Sequence, residues 1–425
     1  MPAKLETLPW LVLSRICEYL DDDDDDDDTY ASNQRRSNLR AFSLTSRQCC
    51  AATASLRFCQ VRAAVTNADD LIRILERWAD MLDRDGGRYR YLQKLKVISP
   101  GQDKVDDDWE EHRYAPWLSD VPRFCRPSSS STEHSPRKLE STTGDPWLAL
   151  ARFIGQLPAL KDLVWGFCNM PQPILAVIHA AGTCRLHMHH FHLGSLVLHR
   201  NGYPQVIDID PDDYALATSP ALYSVVAEVC SYETGGELNY NEDAILGMAA
   251  GAAPNLQHVW LIGTLPGDSL PLRAAVALGK PPAPSDNLFS LNVQAGSLQS
   301  LLFTASSRRY IKAWAARANL SKLCCLASAW DPALVDIAAR SELPSLRGLF
   351  LKDLKIDNAR AAGQLLTALN PNSLRSLYLD GYIDDACSTL YWTDMANRYA
   401  IFLCTRIRIT TTTKMRITPL HVLSF

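Results

Sequence analysis

The chain has 425 residues, of which 47% are hydrophobic and 21% are charged, so it contains enough apolar sequence to bury a sizeable core. Its formal net charge is -4 at pH 7, which gives no global basic field that would favour nucleic acid or an anionic membrane. The N-terminal residues lack the apolar core of a secretory signal, and no stretch reaches the roughly 18 apolar residues of a membrane span. We therefore expect an intracellular protein, located in the cytoplasm, the nucleus or both.

The 12 cysteines are scattered along the chain, with two adjacent pairs and no CxxC motif. This usage indicates neither a disulfide framework nor a zinc knuckle. We interpret the cysteines as reduced thiols that fill core space.

The first predicted element is a helix over residues 8–20. Pro9 lies in its first turn, where a missing N–H has no cost. Its apolar residues recur at i, i+3, i+4 and i+7, which places them on one helix face. These residues are Leu13, Ile16, Cys17 and Leu20.

An unbroken run of aspartates, Asp21 to Asp28, follows this helix. Adjacent carboxylates repel one another and cannot be buried unpaired, so the run predicts a solvated loop inserted between two helices that still pack together. A role in binding a basic partner or divalent cations is the less favoured alternative. Multidentate calcium sites need spaced ligands and a turn glycine, which this run lacks.

Beyond the aspartates, Ser37 or Asn38 can cap a second helix that leads into the stretch "TSRQCCAATASLRF". The segments "LPWLVLSRICEYL" and "NLRAFSLTSRQCCAATASLRF" together resemble an F-box. Leu11 stands where that family usually has an acidic residue, and Cys49 stands where it usually has an aromatic one. The matching positions are Leu8, Pro9, Ile16, Tyr19, Leu20, Leu44, Ser46 and Arg47.

The resemblance implies an F-box helical domain over residues 5–60 that docks on a Skp1-like adaptor and, through it, on a cullin. An αα-hairpin of another kind is the alternative explanation of the same pattern. The Skp1-binding residues that the resemblance implies are Leu8, Pro9, Leu13, Ile16, Tyr19, Leu20, Leu39, Phe42, Leu44 and Arg47.

The rest of the chain carries a recurring pattern of Leu, two residues, Leu, one residue and an apolar residue. The last four copies start 22, 26 and 28 residues apart, within the spacing of about 20–29 that is typical of leucine-rich repeats. The copies occupy residues 92–97, 160–165, 193–198, 256–261, 298–303, 320–325, 346–351 and 374–379.

Helical stretches separate the copies, so the predicted fold class is α+β or α/β, with an F-box helical bundle followed by an irregular solenoid. Parallel strands would line its concave face and helices its convex face. We expect a linker helix at 61–90, the solenoid at 91–395 and a basic irregular tail at 396–425. Insertions are expected near 100–146, 199–219 and 263–287.

In each copy the pattern leucines are expected to face the core, so the residue between them faces the concave side. These residues are Val164, Val197, Trp260, Leu302, Cys324, Phe350 and Tyr378. Large aromatic residues are favoured interface anchors, so Trp260, Phe350 and Tyr378 are the candidate target-binding residues. The alternative is that an insertion or the tail covers this row and buries it as ordinary core.

The segment "HMHHFH" at 187–192 is the one histidine cluster. On a strand, His187 and His189 would share one face and His190 and His192 the other, which disfavours a tetrahedral metal site. The sequence also lacks a Gly-rich phosphate loop and a nucleophile in a recognisable setting. We therefore expect no catalysis, metal or cofactor.

An F-box followed by irregular repeats resembles the F-box leucine-rich-repeat proteins, and the long insertions resemble their many fungal members. The resemblance implies a non-catalytic substrate receptor of a Skp1–cullin–F-box ubiquitin ligase, whose repeats recruit a target protein. The alternative is a leucine-rich interaction scaffold whose N-terminal helices only cap the solenoid. Neither function needs nucleic acid, a membrane or a small-molecule substrate as a partner.

Overall fold

The computed structural model describes residues 8–21, 37–83, 87–99, 145–198, 209–228, 237–262, 298–303, 310–354, 359–369, 373–381 and 407–411. These residues divide into two compact units. The first contains those up to Leu186 except 167–170, and the second contains 167–170 and those from His187 onward. Within the described ranges, every helix is too short or too polar to cross a bilayer.

The first unit begins with three helices that share one core. They are α1 (Trp10–Asp21), α2 (residues 37–43) and α3 (Arg47–Arg57), and α3 begins where the Ser46 hydroxyl accepts a hydrogen bond from the Cys49 N–H. The helices on either side of the aspartate run therefore pack together, as expected. Their shared core consists of Leu13, Cys17, Leu39, Cys49 and Ala52.

A contact around Phe58 joins this helical cluster to the segment that contains Arg88. Phe58 caps α3, and the guanidinium of Arg88 lies 4.5 Å from the centroid of its ring. Arg57 also approaches the ring and donates a hydrogen bond to the Ser43 hydroxyl, while Arg88 donates to the Met81 carbonyl. These contacts connect α2, α3 and the segment before the second strand.

The strands of the first unit begin earlier in the chain than predicted. The region 61–90, expected to be a linker helix, holds β1 (Gln60–Ala64) as well as α4 (Ala68–Asp83), and β1 pairs in parallel with β2 (Lys94–Ile98). The alternation of Val61 and Ala63 with exposed residues carries the strand signal that a leucine pattern misses.

The first unit continues with α5 (Pro146–Gly155), β3 (Asp162–Trp165), α6 (Gln172–Ala181) and β4 (Arg185–Met188), at which the unit ends. Helix α5 begins at Pro146 because the Asp145 carboxylate accepts hydrogen bonds from the N–H groups of Trp147 and Leu148. Strand β3 pairs in parallel with β2.

The second unit contains a longer set of parallel strands. They pair in the order β6 (Leu222–Glu228), β8 (His258–Ile262), β9 (Ser300–Phe303), β10 (Cys325–Ala329), β11 (Gly348–Leu354), β12 (Ser376–Gly381) and β13 (Ile407–Thr411). The α-helices in the described part of this unit are α7 (Pro211–Ala217), which precedes β6, and α8 (Asn241–Gly247), α9 (Tyr310–Arg317), α10 (Ala333–Ala339) and α11 (Ala359–Ala368), which lie between later strands in the chain. These helices and parallel strands confirm the mixed helix-and-strand class that the sequence predicted.

One hydrogen-bond pattern recurs where successive strands begin. The N–H groups of two consecutive residues donate to a single carbonyl of the preceding repeat, at distances between 2.7 and 3.0 Å. In the first unit, residues 93 and 94 donate to Cys59, and residues 161 and 162 donate to Gln93. In the second unit, the acceptors are Gln257, Gln299, Cys324 and Arg347.

The register of β10 corrects one predicted copy. Leu326 pairs with Leu301 of β9 and Leu349 of β11, so the repeat occupies 323–328 and not 320–325. The residue of this repeat that lies between the pattern leucine and the last apolar position is therefore Ala327, and Cys324 precedes the strand. Leucines at 320, 323 and 326 are evenly spaced, so the leucine pattern fits this segment in two registers. All three leucines are buried.

The predicted copy at 193–198 is wrong. Its residues form a short 3-10 turn and β5 (Val197–Leu198), which pairs antiparallel with β7 (Leu238–Asn239) outside the parallel set. The strands on either side of this segment in the chain are β4 and β6. Strand β4 contains a single leucine, and β6 has Val225 and Ala227 at pattern positions, so neither was recognised from the leucine pattern. The tail expected to be irregular contributes β13, which pairs with β12.

A buried asparagine holds the β5–β7 pair in place. The Asn241 side chain accepts a hydrogen bond from the Leu193 N–H at 2.6 Å and donates one to the Leu193 carbonyl at 3.2 Å. It also donates to Asn239 at 2.9 Å. Both Asn241 and Leu193 are buried, so these bonds satisfy backbone groups that water cannot reach.

We predict that Asn241→Ala lowers the free energy of unfolding by about 2 kcal/mol or more, because it leaves two buried backbone groups unpaired. Asn255, whose exposed side chain donates to the Pro220 carbonyl, provides the control, and Asn255→Ala should change stability by less than about 1 kcal/mol. Chemical denaturation measures both. Equal effects of the two substitutions would contradict this role.

Candidate protein-docking site

The residues implied to bind the adaptor fall into three groups in the structure. Leu13 and Leu39 are buried in the core of the N-terminal helices, so they support the helices and cannot contact a partner. Four are half-buried, namely Leu8, Ile16, Leu20 and Phe42. Four are exposed, namely Pro9, Tyr19, Leu44 and Arg47.

The N-terminal helices display an apolar surface that no described residue covers. Leu11, Tyr19 and Leu44 expose 73%, 81% and 79% of their surface, and Trp10 and Val12 are exposed as well. We call Trp10, Leu11, Val12, Tyr19 and Leu44 the apolar patch. In the described ranges, Leu148 is the only other large hydrophobic residue with comparable exposure. Such a concentration on a folded unit is typical of a protein-binding surface.

The geometry of α1 explains why the patch exists. Leu11, Arg15 and Tyr19 are four residues apart, so they form one exposed row along the helix, while Leu13 and Cys17 point into the core. Leu44 lies in the turn between α2 and α3, where the chain leaves the helix and its side chain faces solvent.

Pattern matching missed Trp10, Leu11 and Val12. A signal for them was present, because residues 10–13 are four consecutive apolar residues, and the apolar face of a helix accommodates only three or four residues in every two turns. Some of these side chains therefore had to face solvent or a partner.

The candidate target-binding residues of the second unit are buried. Trp260 exposes 5% of its surface and Phe350 exposes 1%, and they form one hydrophobic cluster with Val226, Leu302 and Ala327. These residues stand opposite one another on neighbouring strands, so the row runs across the sheet. In this structure Trp260 and Phe350 are core residues, which matches the alternative considered for the row.

The other predicted members of the row have different positions. Val197 lies on β5 and Cys324 precedes β10, so neither belongs to the row. Val164 is a buried residue of β3 in the first unit. Tyr378 lies opposite Phe350 in β12, and its side chain is outside the described part of the chain.

Polar residues occupy the neighbouring row of the second unit. His187 Nδ1 lies 2.8 Å from Ser224 Oγ, and His258 Nδ1 lies 3.1 Å from Ser300 Oγ. The Tyr223 ring lies between the two imidazoles, with ring centroids 5.4 and 5.2 Å away. All four His and Ser residues are buried, so this arrangement stabilises the sheet and offers no access to a substrate.

The histidine cluster at 187–192 does not form a metal site in the structure. Among the described residues, no group of three or more His, Cys, Asp or Glu side chains is placed to hold a metal ion. Burial lowers the pKa of His190, which keeps that imidazole neutral near pH 7. His187 and His189 of this segment are buried as well.

Comparison with known proteins assigns no family to the chain. No protein-family model matches the sequence, and no curated protein matches it significantly. Among the described residues, the apolar patch is the feature that points to a function.

We predict that Trp260→Ala and Phe350→Ala each lower the free energy of unfolding by on the order of 3 kcal/mol, because each leaves a cavity in a buried cluster. Trp260→Phe should cost less, since it keeps most of the packing and removes an indole Nε1 that has no hydrogen-bond acceptor. Tyr19→Ala is the exposed-aromatic control. Unchanged melting temperatures for the two alanine variants would return both residues to the candidate docking surface.

Proposed function

We propose that this chain is a non-catalytic substrate receptor of a Skp1–cullin–F-box ubiquitin ligase. The observation that carries the proposal is the apolar patch, which lies on the helices whose sequence resembles an F-box. In this role the N-terminal helices bind a Skp1-like adaptor, and the repeats hold the target near a ubiquitin-loaded enzyme. No step of this function requires a reacting group in the receptor itself.

The chemistry of the patch favours an obligate protein partner over a transient one. Leu11, Tyr19 and Leu44 offer large exposed apolar side chains, and Arg15 lies between Leu11 and Tyr19 in the exposed row of α1. Obligate interfaces are more apolar than transient ones, and arginine is enriched among interface residues. Leu11, which replaces the acidic residue usual in the family, enlarges the apolar centre.

The alternative is a leucine-rich interaction scaffold in which the N-terminal helices only cap the strands. A cap needs an apolar face toward the strands and a polar face toward solvent. The outward face of α1 is apolar at Leu11 and Tyr19, which favours the receptor proposal.

We predict that the triple substitution Leu11→Ala, Tyr19→Ala and Leu44→Ala weakens Skp1 binding by about a hundredfold or more, because it removes large side chains from the centre of the interface. Titration of the full-length chain with purified Skp1 measures the dissociation constant. These side chains are exposed, so the melting temperature should change little.

Leu148→Ala is the matched control, since it removes an exposed leucine outside the patch. It should leave Skp1 affinity unchanged. If the native chain is folded and does not bind Skp1, the receptor proposal is wrong and the scaffold alternative remains.

Deletion of Asp21 to Asp28 should leave the Skp1 dissociation constant within about threefold, because we interpret the run as a solvated insertion outside the contact surface. Helices α1, α2 and α3 share a core without it, so the deletion should preserve their fold. The same titration measures the effect. A tenfold change in either direction would mean that the aspartates take part in binding.

A further inference from the structure

Strand β1 lies at the end of the strand order of the first unit. Among the described strands, β2 is the one that pairs with it, and that pairing occupies one side of β1. The register runs through all five residues of β1 without a bulge, and the strand contains no proline. A bulge and a proline are common ways to protect the free edge of a strand, and β1 has neither.

The hydrogen bonds to β2 show which backbone groups of β1 point away from it. At one end of the strand, the Cys59 carbonyl accepts a hydrogen bond from the Lys94 N–H at 2.9 Å. At the other end, the Val65 N–H donates to the Ile98 carbonyl at 2.8 Å. Alternate residues of a strand bond to the same neighbour, so the odd-numbered residues from 59 to 65 direct their backbone groups toward β2.

The even-numbered residues therefore direct their N–H and C=O groups to the outer side of β1. These residues are Gln60, Arg62 and Ala64, and all three are exposed, whereas Val61 and Ala63 between them are buried. We call the outward backbone groups of Gln60, Arg62 and Ala64 the β1 edge; those of Gln60 and Ala64 mark its two ends. A row of outward N–H and C=O groups on an exposed strand is a template on which another strand can pair.

We infer that the β1 edge binds an extended segment of the target protein, which adds to the sheet as a further strand. The biological meaning of this inference rests on the proposed receptor function. Main-chain hydrogen bonds hold such a segment, and its alternate side chains give specificity. The residues beside Val61 and Ala63 continue the buried face and should be apolar, and those on the other face should be polar. The row that contains Trp260 and Phe350 is buried, so it does not compete for this role.

A second copy of this chain is a less favourable occupant of the β1 edge. In the antiparallel register that pairs all five residues of two β1 strands, Gln60 lies opposite Ala64 and Arg62 lies opposite Arg62 of the other copy. Like charges directly opposite each other destabilise a strand pair. Arg62 therefore disfavours self-pairing, and a segment of a different protein has no such restriction.

The test uses the full-length chain without Skp1 and a fluorescein-labelled octapeptide in which Val and Thr alternate, with binding measured by anisotropy. Two derivatives carry methyl groups on backbone nitrogens, one at every valine and the other at every threonine. Only alternate residues of an added strand direct their N–H groups toward the edge. One derivative should therefore bind within about threefold of the parent peptide, and the other at least about tenfold more weakly, because it loses the donors that pair with β1.

The derivative that loses binding also shows the direction of the added strand. Parallel and antiparallel ladders use opposite sets of residues once the valines lie beside Val61 and Ala63. Loss on methylation of the valines indicates parallel addition, and loss on methylation of the threonines indicates antiparallel addition. The two derivatives carry the same number of methyl groups, so each is the matched control of the other.

A substitution in the chain tests the same edge from the other side. Ala64→Pro removes one outward N–H and leaves the bonds between β1 and β2, so it should weaken binding of the parent peptide by at least about fivefold. Ala64→Ser is the matched control, because it changes the side chain and keeps the backbone donor, and it should bind within about twofold of the native chain. Melting curves check folding. If Ala64→Pro lowers the melting temperature, the methylated peptides still decide the question, because they are measured on the native chain.

Four results would overturn the inference: no binding of the parent peptide, equal binding of the two methylated derivatives, equal affinities of folded Ala64→Pro and Ala64→Ser variants, or a native dimer in light scattering that Ala64→Pro converts to a monomer. The last result would assign the β1 edge to a second copy of the chain. A chain that binds the octapeptide in one methylation frame and fails to bind Skp1 would contradict the receptor proposal and leave the β1 edge intact. A chain that binds Skp1 and shows no dependence on the methylation frame would do the reverse.

Discussion

The repeated hydrogen bonds at the start of the strands are the constraint on which the rest of each unit depends. Two consecutive N–H groups share one carbonyl of the preceding repeat, as residues 299 and 300 share Gln257 and residues 347 and 348 share Cys324. This pairing sets the register of each strand on its neighbour. Because side chains alternate along a strand, the register then decides which residues enter the helix-packed core and which form rows on the other face.

The consequences of that register differ between the two units. In the second unit the row contains Trp260, Leu302 and Phe350, and both faces of the strands are buried, as is usual for parallel strands. In the first unit the equivalent positions of β1 and β2 hold Arg62 and Lys96.

In the first unit, the N-terminal helices that carry the apolar patch are joined to the strands by specific contacts. The stacking of Arg57 and Arg88 against Phe58 fixes α3 to the segment that precedes β2. A receptor gains from such a connection, because a ligase must hold its target at a defined distance from the ubiquitin donor.

Sequence patterns predicted the first helix and the buried leucines, and they missed features that depend on how the strands pair. The helix at 8–20 and the buried pattern leucines, such as Leu301 and Leu349, follow from periodicity alone. The register of residues 320–328 could not be predicted from periodicity. Leucines at 320, 323 and 326 fit the pattern in two alignments, and only the pairing with the neighbouring strands shows which alignment is correct. Strands β4 and β6 were missed because β4 contains a single leucine and β6 has Val225 and Ala227 at pattern positions.

Whether a side chain is exposed for binding depends on how the surrounding elements pack, which a sequence pattern does not show. Alternation assigned Trp260 and Phe350 to one face of the sheet but could not say whether that face is covered. The exposure of Leu11 and Leu44 likewise depends on how α1, α2 and α3 pack, since a contiguous apolar run does not by itself say which of its members face solvent.

Hydrogen exchange of the full-length chain, with and without Skp1, shows whether the N-terminal helices dock on Skp1 through the apolar patch. We predict that Skp1 slows amide exchange at least about tenfold in residues 10–20 and in the turn at 44–46, and leaves α4 unchanged. Protection confined to the strands, or no protection in α1, would contradict the assignment of the apolar patch as the docking surface.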